Sequence, residues 1–129
     1  MITIHYTREM VEGEPGPNLY WRGKPIDFLQ LTFDLHILGR ENDTERKINK
    51  LPYVNVNDGY IITAKSSMNG NILCEVKVKD IVIDLDHSLW QRIVNMFLRI
   101  SFFPCHNYIE FDKIKLKEDA NIIISSEAL

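Results

Sequence analysis

The sequence predicts an α+β domain in which an antiparallel β-sheet, arranged as a meander, carries one main amphipathic helix on its apolar face. Three observations predict it: a segment of strictly alternating apolar residues, two dipeptides typical of tight turns, and one stretch with helical periodicity. The chain has 129 residues, of which 45% are hydrophobic and 26% are charged. This size and composition are typical of one globular domain, so a single domain spanning residues 1–129 is expected.

The first long strand is predicted at residues 29–37, with the sequence LQLTFDLHI. Its apolar and polar residues alternate, which is typical of a strand with one buried face. A helix is the alternative, because Pro25 suits the first turn of a helix and Gly39 suits its end. On a helical wheel the apolar residues scatter around the axis, whereas a strand places all of them on one face. The pattern therefore favours the strand.

Turn-forming dipeptides predict hairpins farther along the chain. Asp58-Gly59 and Asn69-Gly70 each separate two strand-like runs, and such dipeptides readily adopt the positive φ that a tight hairpin requires. A meander of antiparallel strands is therefore expected here. The alternation changes phase near Asp80, which predicts a turn or a bulge at that point.

The main helix is predicted at residues 88–101, SLWQRIVNMFLRIS. Ser88 and Gln91 have the spacing of a capping box, and the apolar stripe that includes Trp90 and Phe97 lies opposite a polar one. Both aromatic residues are expected to be buried. Two closing strands, within residues 107–116 and 121–126, are expected to follow the helix.

Charge and segment composition limit the possible partners and location. Fifteen lysines and arginines against eighteen acids give a net charge of −3, which argues against direct nucleic-acid binding and favours a basic protein partner. The chain has neither an export signal at its start nor an apolar run of about 18 residues, so no membrane association is expected. Two cysteines distant in sequence suit reduced thiols, and we expect a cytoplasmic protein.

Candidate chemistry is sparse in this sequence. Cys105 and His106 are adjacent, so their side chains diverge in extended chain, and Cys105 is expected to be a small core residue rather than a nucleophile. Asp84 and Asp86 have a spacing that some metal sites use, but a solvated strand end beside a helix N-terminus is the favoured interpretation. We therefore expect no metal, no cofactor and no catalytic activity.

Residues 88–112, SLWQRIVNMFLRISFFPCHNYIEFD, together with the small, acidic, single-domain build, resemble the immunity proteins of bacterial toxin systems, including contact-dependent inhibition. The resemblance implies a stoichiometric inhibitor that binds one toxin domain, often a nuclease, and covers its active site. Charge and expected exposure select the candidate partner contacts: Asp34, His36, Asp84, Asp86, Glu110 and Asp112. The alternative is an enzyme or ligand-binding protein with a small-molecule pocket at one end of the sheet, using a histidine with a carboxylate or Cys105.

Overall fold

The structure, a computed structural model, confirms the α+β class. It describes residues 1–11, 13, 16–68, 72–103, 108–110 and 121–126. The helices of these residues are α1 (Pro25–Leu35) and α2 (His87–Phe102). The strands, in chain order, are β1 (Ile2–Thr7), β2 (Asn18–Gly23), β3 (Glu45–Lys47), β4 (Val54–Val56), β5 (Ile61–Ser67), β6 (Ile72–Lys77), β7 (Asp80–Asp86), β8 (Tyr108–Glu110) and β9 (Asn121–Ser126).

The strands form two mixed sheets rather than one antiparallel meander. The first sheet has the order β4-β1-β2-β9-β8, and the second has the order β3-β5-β7-β6. Three pairs are parallel: β1 with β4, β2 with β9, and β5 with β7. The predicted meander is therefore wrong in its topology, because several strands that follow each other in sequence are not neighbours in a sheet.

The turn dipeptides specify local backbone but not strand partners. Asp58 and Gly59 have φ values of 62° and 72°, as their type predicts, yet they connect β4 in the first sheet to β5 in the second. Asn69-Gly70 lies outside the described residues, and the strands on either side of it, β5 and β6, both pair with β7 instead of with each other. The turn expected near Asp80 is confirmed, since β6 and β7 form an antiparallel hairpin.

The strand predicted at residues 29–37 is wrong, because this segment belongs to α1 and the 3-10 turn His36–Gly39 that follows it. Phe28, Leu31, Thr32 and Leu35 are buried at helical spacing. Thr32 fits this apolar side because its hydroxyl donates a hydrogen bond to the Phe28 carbonyl at 2.8 Å. Phe33, which the alternation placed in the core, is 71% exposed. The period-two pattern thus concealed a helical face that begins one residue earlier.

The predicted main helix is confirmed as α2, and Trp90 and Phe97 are buried as expected. The Phe97 ring stacks against Trp21 of β2 at 6.0 Å between ring centroids and against Phe28 of α1 at 5.9 Å. The Trp90 indole N–H donates to the Lys65 carbonyl of β5 at 2.6 Å. The helix therefore joins both sheets and α1 in one hydrophobic core.

The closing strands are confirmed as β8 and β9, which pair antiparallel at one edge of the first sheet. The rest of the predicted first closing strand, residue 107 and residues 111–116, lies outside the described residues. Neither helix in the described part of the chain has the length and apolar character needed to cross a membrane.

Candidate partner-binding face

The second sheet turns one face to the core and the other to solvent. Residues Ile62 and Ala64 of β5 and Ile81, Ile83 and Leu85 of β7 are buried on the core side. The alternate residues of each strand therefore form an outer face. Its charged members are Glu45, Lys47, Lys65, Glu75, Lys77, Asp80, Asp84 and Asp86. We call this set the outer face; it has five carboxylates and three lysines.

Strand register alternates the charges across the outer face. Lys65 of β5 is paired with Glu45 of β3 on one side and with Asp84 of β7 on the other. Lys77 of β6 is paired with Asp80 of β7. Opposite charges on directly opposed residues stabilise neighbouring strands modestly, so the lysines support the sheet while the face keeps a net negative charge.

The carboxylates differ in how far they are already engaged. Glu75 binds Lys77 at 2.8 Å, and this hydrogen bond and charge raise the pKa of Lys77 above its ordinary value. Glu45 and Asp80 are exposed, and neither side chain has a hydrogen-bond or ion-pair partner among the described residues. A partner that binds these two charges therefore competes only with the modest cross-strand attraction of Lys65 and Lys77.

Asp84 and Asp86, two of the predicted site residues, lie together on the outer face of β7. The Ser67 hydroxyl donates to Asp84 at 2.5 Å. Asp86 is the N-cap of α2 and accepts hydrogen bonds from the Ser88 backbone N–H and hydroxyl, each at 2.8 Å. The backbone bond and then the hydroxyl bond lower the pKa of Asp86, so its carboxylate stabilises the helix as well as charging the face.

The other predicted site residues do not join this face. Asp34 and His36 are exposed, but they lie on α1 and the turn after it rather than on a strand. Asp34 accepts a hydrogen bond from the Tyr53 hydroxyl at 2.5 Å. Burial and this contact with Asp34 raise the pKa of Tyr53 above its ordinary value. The expectation that Asp34 and His36 share the wet face of a strand is therefore wrong.

Glu110 and Asp112 complete the predicted set. Glu110 belongs to β8 of the first sheet, where it is paired with Ile123, so the structure assigns it to a different sheet from Asp84 and Asp86. Asp112 lies outside the described residues, as does Cys105. The other cysteine, Cys74, is buried on the core side of β6.

Sequence reasoning missed three carboxylates of the outer face: Glu45, Glu75 and Asp80. Glu75 alternates with the buried Cys74 and the half-buried Val76, so its outward direction was visible in the sequence. The pairing of β3 with β5 and of β5 with β7, which brings these acids to Asp84, depends on tertiary contacts. In the part of the chain that the structure describes, no three His, Cys, Asp or Glu side chains are grouped to hold a metal ion.

Fold and surface together define an α+β domain with two mixed sheets and an open, net-acidic sheet face. No protein-family model, curated protein or solved structure matches the chain.

Proposed function

We propose that this protein is a stoichiometric inhibitor of the immunity type. In this proposal it binds a basic domain of a cognate bacterial toxin, a nuclease, in the cytoplasm. The observation that supports it is the outer face, where Glu45 and Asp80 are exposed alongside Asp84 and Asp86 and have no hydrogen-bond or ion-pair partner among the described residues. Nuclease domains are basic where they contact phosphate, so carboxylates on a sheet face attract and orient them. In this proposal the protein acts by covering the toxin and has no catalytic activity of its own.

Sheet geometry supports the use of this face for recognition. The backbone that carries these carboxylates is ordered before binding, because hydrogen bonds between paired strands fix it. Glu45 and Asp80 therefore lose little freedom beyond that of their own side chains when a basic partner binds. Preorganised groups of this kind contribute more to affinity than groups on mobile loops.

The first experiment tests the function. The toxin domain encoded by the adjacent gene is expressed with and without this protein, and growth and co-purification are measured together. Growth arrest by the domain alone, its rescue by this protein and a co-purified complex are expected. A domain that is harmless by itself, or one that stays toxic and does not co-purify, would rule out the immunity function.

The second experiment tests the face. Glu45→Gln combined with Asp80→Asn is expected to slow association by about tenfold at low salt, because both charges attract a basic partner. Neither substitution places like charges opposite Lys65 or Lys77. Glu9→Lys is the matched control, since Glu9 is an exposed acid that follows β1 of the first sheet and its reversal changes the net charge as much as the loss of two carboxylates. The effect should shrink at 1 M salt, where the screening length falls to about 3 Å from about 10 Å at 0.1 M. Equal slowing by both variants would show that net charge, and not this face, governs binding.

A further inference from the structure

A groove of about 610 Å³ lies where the two sheets meet, at one end of β1. Its walls come from both sheets and from the segments that enter them: Tyr6, Arg8, Pro17, Tyr60, Val76 and Val78. Small-molecule sites in proteins have volumes of roughly 300–1,000 Å³. The groove is therefore large enough for a ligand of mononucleotide size.

Two tyrosines form the aromatic side of the groove. Tyr6 is at the end of β1 and Tyr60 immediately precedes β5, and their ring centroids are 5.3 Å apart with planes inclined at 61°. This edge-to-face arrangement is a favoured contact between two aromatic rings. Val76 and Val78 add apolar surface from β6 and its turn. A planar aromatic group can pack against such a surface, since stacking on tyrosine requires no particular hydrogen-bond pattern.

Two cations accompany the tyrosines. Lys79 Nζ lies 4.4 Å from the centroid of the Tyr60 ring and donates a hydrogen bond to the Asp58 carbonyl at 3.0 Å, so it is held beside the ring. Arg8 lines the groove, is exposed and has no hydrogen-bond or ion-pair partner among the described residues. Gly16 packs directly on Arg8, because a Cβ at Gly16 would lie 2.0 Å from the Arg8 carbonyl oxygen.

Among the described residues, the groove carries the opposite charge to the protein as a whole. The described lining residues include Arg8 and no carboxylate, although the chain has more acids than bases. Guanidinium groups and phenol hydroxyls are donors that suit phosphate oxygens. The combination of aromatic rings and an unengaged guanidinium matches a ligand that is aromatic at one end and anionic at the other.

We propose that this groove binds an aromatic phosphate ester of mononucleotide size, with the phosphate near Arg8 and the ring system against the exposed parts of Tyr6 and Tyr60. This inference rests on the groove alone and does not depend on the proposed inhibitor function. A bound ligand would contact residues of both sheets, so it would also stabilise the folded chain.

The test uses adenosine monophosphate as the probe, with adenosine, inorganic phosphate and phenyl phosphate as comparisons. Titrations are followed by calorimetry and by the NMR signals of the tyrosine rings. We expect adenosine monophosphate to shift the Tyr6 and Tyr60 signals, to raise the melting temperature and to bind at least about tenfold more tightly than adenosine or inorganic phosphate. Phenyl phosphate binding at comparable affinity would equally support an aromatic phosphate site.

Two variants locate the site. Arg8→Ala is expected to weaken binding by about tenfold or more, because it removes a charged hydrogen-bond donor from an exposed position without disturbing the core. Arg92→Ala is the matched control, since Arg92 is an exposed arginine on α2 that is not among the groove residues, and it should leave affinity unchanged. Failure of both phosphate esters to bind, equal binding of adenosine, or equal loss in the two variants would overturn the proposal.

Discussion

Phe97 is expected to contribute a large share of the stability of this fold. It is 1% exposed and contacts Trp21 and Phe28 through its ring. Burying a phenylalanine contributes about 1.5–3 kcal/mol, and each aromatic contact adds about 0.5–1.5 kcal/mol. These values lead us to expect that Phe97→Ala lowers the free energy of unfolding by about 3–5 kcal/mol, the range measured for such core truncations. The total free energy of unfolding of a domain of this size is about 5–15 kcal/mol.

Phe102 provides the matched control on the same helix. It is 65% exposed, so Phe102→Ala should change stability by no more than about 0.5 kcal/mol. Urea unfolding followed by tryptophan fluorescence measures both variants, because Trp21 and Trp90 are buried in the core. If Phe97→Ala costs no more than Phe102→Ala, then α2 does not join the sheets to α1 through this ring, and the description of the core is wrong.

Three further predictions concern backbone strain, close packing and pH. Val78→Gly should raise the free energy of unfolding by about 0.5–1 kcal/mol, measured by urea unfolding. Val78 is 92% exposed and has a φ of 54°. This backbone conformation costs a residue with a side chain about 1–2 kcal/mol, whereas it costs glycine little. Gly39→Ala should lower the free energy of unfolding by about 1–3 kcal/mol, since the new Cβ would lie 2.9 Å from the Gln91 Cα. An unchanged free energy of unfolding would show that α2 can move away from residue 39 at no cost. The carboxylate of Asp86 has a lowered pKa when folded, so its stabilising effect is present above the ordinary value of 3.8 and is lost as pH falls through the lower folded-state value. The difference in melting temperature between wild type and Asp86→Asn should therefore change below about pH 4 and stay constant above about pH 5.

The parts of the fold that sequence could predict are those that short-range periodicity determines. In α2, Trp90 and Phe97 belong to an apolar stripe with helical spacing, and the helix forms where that stripe predicts. In α1 the buried residues Phe28, Leu31 and Leu35 also have helical spacing. Two further apolar residues of this helix are not buried, since Leu29 is half-buried and Phe33 is exposed. Two periodicities therefore coexist in one segment. Burial on the core selects the helical one, and that burial depends on the rest of the fold.

Strand partners depend on contacts that a sequence does not state. Asp58 and Gly59 have the backbone that their type predicts, yet the chain continues into the other sheet because β4 pairs with β1 and β5 pairs with β7. A turn fixes the direction of a few residues. The packing of apolar faces against each other determines which strands become neighbours. The sequence pattern therefore does not predict the parallel pairs between distant strands.

The same limit applies to the candidate site. Charge and expected exposure indicate Asp84 and Asp86, and the structure places both on the outer face of β7. Asp34 and His36 are expected on the exposed face of a strand, but their segment is helical, so this face does not form. Glu45 and Asp80 reach the outer face only through the order of the second sheet. Exposure could thus be inferred for single residues, whereas their grouping required the topology.

The outer face has carboxylates that also support the fold and carboxylates that do not, and substitutions of the two kinds test different things in a partner-binding experiment. Asp86 caps α2 and Asp84 accepts the Ser67 hydroxyl, so replacing either one changes the folded protein as well as its surface charge. A loss of binding in such variants has two causes that a growth assay cannot separate. Glu45 and Asp80 have no such hydrogen bonds among the described residues, and their neutralisation weakens the electrostatic attraction while the helix cap stays intact. Partner binding that depends on Glu45 and Asp80 therefore reports recognition, whereas dependence on Asp86 alone reports the stability of α2.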